Sequence, residues 1–314
     1  MSGLLLCATD LTDGGQAPVD LAIHLAKAFE ARVELLHVGD DLGTMVTDPV
    51  PEEVRPAAER LRARLTERRA AEDQALEAIC TRVREEGVGC RGTIREGRPW
   101  ETIIDAAMDL SGVTMIVVGA HGGARGDLFD RLGTRILGST ADRVVRHARH
   151  PVVVAPPSPT APGLGDGPVV VGVDASNAAT EAARAAARLA HGLGRRLVLV
   201  HVLPRSTDED GTAQRDYVSV LQAHAEEEAR TRLRTLEVGL PGTVEVRLAP
   251  VSGTPAEGLV DVARDLGAGC IVVGTHARQG AVRWVLGSTA ERVLRAAEMP
   301  VMVVPPGAAL GAQG

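Results

Sequence analysis

Lysine is nearly missing from this chain: Lys27 is the single example in 314 residues. A G-x-x-x-x-G-K-[S/T] phosphate loop therefore cannot be built, which excludes P-loop hydrolysis and phosphoryl transfer. Aromatic residues make up 2% of the chain, too few for the base-stacking platforms that hold single-stranded nucleic acid. A formal net charge of −7 disfavours the phosphate backbone as well, so nucleic acid is not an expected partner. No apolar run approaches the ~18–20 residues needed to cross a bilayer, and no basic-then-apolar leader opens the chain. The membrane is therefore not an expected partner either, and a cytoplasmic location is the reading. The four cysteines, Cys7, Cys80, Cys90 and Cys270, form no C-x-x-C pair, and Cys7 and Cys270 sit in apolar runs as small hydrophobes. Neither a G-x-S-x-G nucleophile elbow nor an H-E-x-x-H metal motif is present. No catalytic residue and no metal ligand is assigned from the sequence, and weak ATP hydrolysis is the most that is left open.

What is present is present twice. The segment from Ile136 to Pro157 aligns without a gap on Val285 to Pro306, with about 14 of 22 positions identical. Upstream, Val117-Val-Gly-Ala-His121 answers Val272-Val-Gly-Thr-His276, and Leu36-His-Val38 answers Val200-His-Val202. Asp10 and Asp174 each end an apolar run. A unit of roughly 150 residues is long enough to own a core, so the repeat is a duplicated domain. The boundaries read as a first domain over 1–157, a linker over 158–167, a second domain over 168–306 and a tail over 307–314. The Pro-, Gly- and Ser-rich composition marks the linker.

Within each copy, short Val/Ile/Leu runs alternate with helical patterns. In the first, runs near 4–8, 33–38, 90–95, 114–118 and 152–155 read as strands. Helices are expected near 17–29, 52–86, 100–110 and 140–147. The second copy keeps the order. Such alternation implies right-handed β-α-β crossovers and a parallel sheet covered on both faces, which is why the strands read as continuous apolar runs.

An Asp ending the first strand, His-Val ending the second, and a G-x-H loop followed by L-G-S-T resemble the universal stress protein family. The resemblance covers both halves. It implies an α/β fold of two tandem doubly wound domains, each a five-stranded parallel sheet in the order 3-2-1-4-5. It also implies adenine-nucleotide (ATP) binding, with a divalent ion such as magnesium as a companion.

In an open parallel sheet, ligands settle beyond the carboxyl ends of the strands, where strand order reverses. The candidate contacts in the first copy are Thr9, Asp10, Val38, Gly119, Gly122, Gly138, Ser139 and Thr140. In the second they are Val173, Asp174, Val202, Gly274, His276, Arg278, Gly287, Ser288 and Thr289. By the resemblance, Asp10 or Asp174 faces the adenine-ribose end, with Val38 or Val202 against the base. Both aspartates also suit Asx-type turn ties. The helix starts near Ser139 and Ser288 offer N–H donors for phosphate. Ser139 with Asp142, and Ser288 with Glu291, equally read as helix caps.

Nucleotide-binding members of the family carry G-x-x-G, nine residues, then G-[S/T]. The second copy keeps this spacing but has Ala277 for the second glycine. The first keeps both glycines but holds fifteen residues, including Asp127 and Asp130, where nine are expected. The second copy is therefore the favoured site. The leading function is non-catalytic ATP binding with a regulatory role in stress, possessing an unidentified protein partner. The alternative is a scaffold that acts by association alone. The last strands, at the sheet edges, suit an intramolecular pseudo-dimer, with a further homodimer left open.

Overall fold

The computed structural model describes residues 3–12, 15–39, 52–121, 137–156, 164–174, 176–204, 212–251, 253–275 and 286–308. The first half runs β1 (Leu4–Thr9), α1 (Gln16–Phe29), β2 (Arg32–Gly39), a 3-10 turn (Glu52–Val54), α2 (Arg55–Glu85) and β3 (Cys90–Glu96). It continues through α3 (Pro99–Asp109), β4 (Val113–Gly119), α4 (Ser139–His147) and β5 (Val152–Ala155). The second half is β6 (Val169–Gly172), α5 (Asn177–Gly192), β7 (Leu197–Pro204), α6 (Thr212–Val238) and β8 (Val244–Val251). It closes with α7 (Pro255–Asp265), β9 (Cys270–Gly274), α8 (Ser288–Ala296) and β10 (Val301–Val304).

The strands lie in one ten-stranded sheet in the order β3-β2-β1-β4-β5-β10-β9-β6-β7-β8. Read inward from either edge, each half is a 3-2-1-4-5 sheet, and every pairing within a half is parallel. The seam is different. β5 and β10 run antiparallel, with Val153 opposite Met302, so each last strand satisfies backbone groups that the other half leaves open.

The continuous apolar strands are explained by what covers them. Alternate residues point to opposite faces, so Leu5 and Cys7 join one core cluster while Leu6 joins the other; Val169 and Val171 part from Val170 in the same way. The first core lies beneath α1, α2, α5 and α6, the second beneath α3, α4, α7 and α8, and each runs through both halves. Alanine dominates the buried side of α5, where Ala182, Ala183, Ala185, Ala186 and Ala187 are fully buried. Side chains that small let the helix backbone come close to the sheet. No helix among the described residues is long and apolar enough to cross a membrane.

Leu164 is 5% exposed and belongs to the first core. Arg195 donates to the carbonyl of Gly165. The end of the segment read as linker is thus anchored to the second half.

Candidate functional site

Strand order reverses between β1 and β4, and again between β6 and β9. A cavity opens at the carboxyl end of each pair: about 440 Å³ in the first half and about 170 Å³ in the second, where an adjoining cavity of about 180 Å³ shares Val173, Asp174 and His201. The first lies within the ~300–1,000 Å³ range of small-molecule sites, and the second below it.

All seven described first-half candidates, Thr9, Asp10, Val38, Gly119, Gly138, Ser139 and Thr140, line the larger cavity. In the second half Val173, Asp174, Val202, Gly274 and Thr289 line the smaller one, while Gly287 and Ser288 are not among its walls. Gly122, His276, Arg278, Ala277, Asp127 and Asp130 lie outside the described residues. Motif spacing favoured the second half; cavity volume favours the first.

The two halves differ in the connection after their first strand. Helix α1 begins at Gln16, six residues after Asp10, whereas α5 begins at Asn177, three after Asp174. The short connection brings the start of α5 down onto the end of β9. A Cβ placed on Gly274 would lie 2.6 Å from the carbonyl oxygen of Ala178. At Gly119, the corresponding strand end, the nearest atom is the His121 oxygen at 3.1 Å. The described part of the first-half connection bends just after Asp10. Leu11 adopts φ 60°, and its N–H donates to the Thr9 hydroxyl at 3.2 Å. A non-glycine residue there costs on the order of 1–3 kcal/mol, which surrounding contacts must offset.

Both aspartates tie down their turns. Asp10 Oδ1 accepts from the Thr12 N–H at 3.0 Å and its hydroxyl at 2.7 Å, and Asp174 Oδ1 accepts from the Ser176 N–H at 2.8 Å. Each also lines its cavity, so the turn role and the pocket role coexist. His37 Nδ1 donates to the Thr9 carbonyl at 3.0 Å and His201 Nδ1 to that of Val173 at 2.7 Å. A carbonyl only accepts, so in each ring the Nδ1 proton is committed.

The serine caps require correction. The N-caps are Gly138 (φ −60°, ψ 149°) and Gly287 (φ −64°, ψ 152°), with Ser139 and Ser288 one position inside their helices. Glycine offers no capping side chain. Asp142 and Glu291, read as the far members of capping boxes, turn to arginines instead. Arg146 Nε donates to both Asp142 oxygens at 2.9 and 3.0 Å, and its Nη2 reaches Glu291 of the other half at 3.2 Å. Arg295 binds the second Glu291 oxygen at 2.9 Å. These bonds, Arg295 foremost, hold the Glu291 carboxyl below the usual carboxylate range. The sequence rule for capping is obeyed elsewhere: Thr254 and Glu257 form a full capping box ahead of α7.

A nucleotide fits the first cavity on two counts. Its walls are mostly apolar, with Ala8, Leu36, Ile103 and Val118 among them. The start of α4 stands there without a side-chain cap, positive end inward. Lys27, the chain's single lysine, is not among the walls; it is paired with Glu86 at 2.7 Å on α1's last turn. Gly15, Pro18, Pro99 and Ile103 also line this cavity and were not singled out as contacts from the sequence. Only the differing length of the two strand-to-helix connections could have pointed to Gly15 and Pro18. Among the described residues, no group of three or more His, Cys, Asp or Glu is placed to hold a metal ion.

The model of the universal stress protein family matches residues 1–156 and again 167–305. A universal stress protein of Mycolicibacterium smegmatis is 29% identical over 309 residues, covering 96% of this chain and 97% of that one. One from Mycobacterium tuberculosis is 31% identical over 195 residues, 61% of this chain and 58% of its own length. Among solved structures, a universal stress protein from Archaeoglobus fulgidus superposes with a TM-score of 0.61 at 20% identity, covering 98% of this chain and all of that one. Likeness at that identity speaks to the fold. The family match falls once on each sheet half, and the chain therefore belongs to the universal stress protein family, in its tandem two-domain form.

Proposed function

We propose that the first half binds one adenine nucleotide, ATP with or without a divalent ion, and that occupancy rather than turnover carries a regulatory signal to a protein partner. The observation that carries this reading is the cavity of about 440 Å³ at the strand-order reversal, walled by Ser139 and Thr140 at the glycine-capped start of α4. In this reading the backbone N–H groups of the first α4 turn hold the phosphate end. Val38 and Ile103 take the base, and Thr9 and Asp10 lie towards the sugar. The bound nucleotide supplies charge and shape, and the chain's own part is to orient it and exclude water from the apolar end.

The scaffold alternative is assigned to the second half. Ala178 closes on Gly274 there, which leaves that half to support its neighbour through β10.

Titration with a labelled ATP analogue tests the reading. One site per chain is expected, and Gly138→Asp, with a carboxylate at the helix start, should weaken it at least tenfold while circular dichroism is kept. Two equal sites, no site, or unchanged affinity in the variant would each overturn the assignment. Product analysis after long incubation with magnesium should find ATP intact.

A further inference from the structure

The first half carries two thiols where α2 packs on β3, and the second half carries aliphatic side chains where α6 packs on β8. Cys80 lies on α2 and is fully buried; Cys90 opens the edge strand β3 and is half-buried. Cys90 and Gly92 lie two residues apart on the same face of β3, each thiol perturbs the other's ionisation, and both are free. Gly92 makes the approach possible: a Cβ there would lie 2.8 Å from Leu76 Cγ and 3.0 Å from Cys80 Sγ, so α2 sits directly against β3. In the second half Val244 opens β8 opposite Leu197, as Cys90 opens β3 opposite Val33. On α6, Ala229 and Leu233 are buried at the same spacing as Leu76 and Cys80 on α2. Packing alone is thus met by leucine and valine at this contact, and the thiols bring chemistry that packing does not require.

We propose that Cys80 and Cys90 form an oxidative modification site, closed by a peroxide to a disulfide that staples the end of α2 to the edge strand β3. The thiolate of Cys90, the more exposed sulfur, attacks one peroxide oxygen and becomes a sulfenic acid as hydroxide leaves and is protonated to water. The Cys80 thiolate then attacks the Cys90 sulfur, the S–S bond forms, and a second hydroxide leaves as water. Two thiols and one hydrogen peroxide give one disulfide and two waters; the sulfurs are oxidised and the peroxide oxygens reduced.

Burial raises both thiols above the ordinary range, more strongly at Cys90, and the neighbouring Arg84 offsets this only in part. Thiolate is therefore scarce at neutral pH, and closure follows prolonged exposure rather than first contact. The rate should rise about tenfold per pH unit on the alkaline side of neutrality.

The test is intact-mass and peptide analysis of the full chain after hydrogen peroxide treatment across that pH range. The wild type should lose two hydrogens, yield one peptide pair joined through Cys80 and Cys90, and recover its mass with a reductant. Cys90→Ser, at a half-buried position, should fold and lose no hydrogens; Cys80→Val, an aliphatic side chain close to cysteine in size, should behave alike. Oxygen addition at Cys90 without the joined pair would overturn the proposal. So would a bridge through Cys7, no reaction at alkaline pH, or hydrogen loss in either variant.

Discussion

Replacing the glycine at the end of β9 should cost stability, whereas its counterpart in β4 should tolerate the same change. At Gly274 the added Cβ would stand 2.6 Å from the Ala178 oxygen, 2.9 Å from its carbonyl carbon and 3.4 Å from its Cβ. It falls about 0.8 Å short of ordinary contact, against backbone that cannot rotate away. Helix α5 must move, yet its alanine side is packed on the sheet. Overpacking of this kind costs ~1–3 kcal/mol. At Gly119 the shortfall to the His121 oxygen is about 0.3 Å, and the next neighbours, Pro18 Cγ and Cδ, stand at 3.7 and 3.8 Å. There the loss is offset by the ~0.4–1 kcal/mol that alanine contributes by restricting the unfolded chain. Urea and thermal unfolding of Gly274→Ala and Gly119→Ala should therefore differ, with a fall of about 2–4 °C per kcal/mol for units of this size. ATP stoichiometry in folded Gly274→Ala should stay at one. Equal losses in the two variants, or a neutral Gly274→Ala, would refute the claim that α5 closes the second cavity.

Other expectations follow from the seam and its surroundings. Met302, fully buried opposite Val153, should not accept aspartate: an unpaired buried carboxylate is costly, and size-exclusion chromatography of Met302→Asp should find no compact monomer. Arg146 and Glu291 join the halves at partly exposed positions, so a double-mutant cycle should return a coupling of about 0.2–1 kcal/mol that shrinks with salt. The Glu291 carboxyl is lowered in the folded chain, so its contribution is complete above the unfolded carboxylate value and is lost as pH falls through the folded one. Glu291→Gln should flatten the acid limb of stability against pH, and an unchanged limb would count against the bridge.

The duplication, the strand and helix order and the parallel sheets were legible because a strand covered on both faces must be apolar at every position. Val152–Ala155 and Val169–Gly172 satisfy this in four residues each. The ends of β1, β2 and β4 were equally legible: Asp10, Val38 and Gly119 stand at one mouth because each lies where its apolar run stops. Local rules failed at Ser139 and Ser288, where a capping pattern was outbid by a glycine one residue earlier and by arginines that take Asp142 and Glu291, each from four residues on and one across the seam. The ranking of the two cavities was not legible from glycine spacing.

Sequence by itself determined what is local or periodic: two α/β units, their strand order through the family's motifs, and the residues that end each strand. Tertiary structure decided which last strands pair, how Arg146 divides itself between the halves, and how much space each mouth keeps. Volume depends on through-space approach, here the carbonyl of Ala178 against the bare Cα of Gly274, between segments almost a hundred residues apart. No pattern along the chain records that distance.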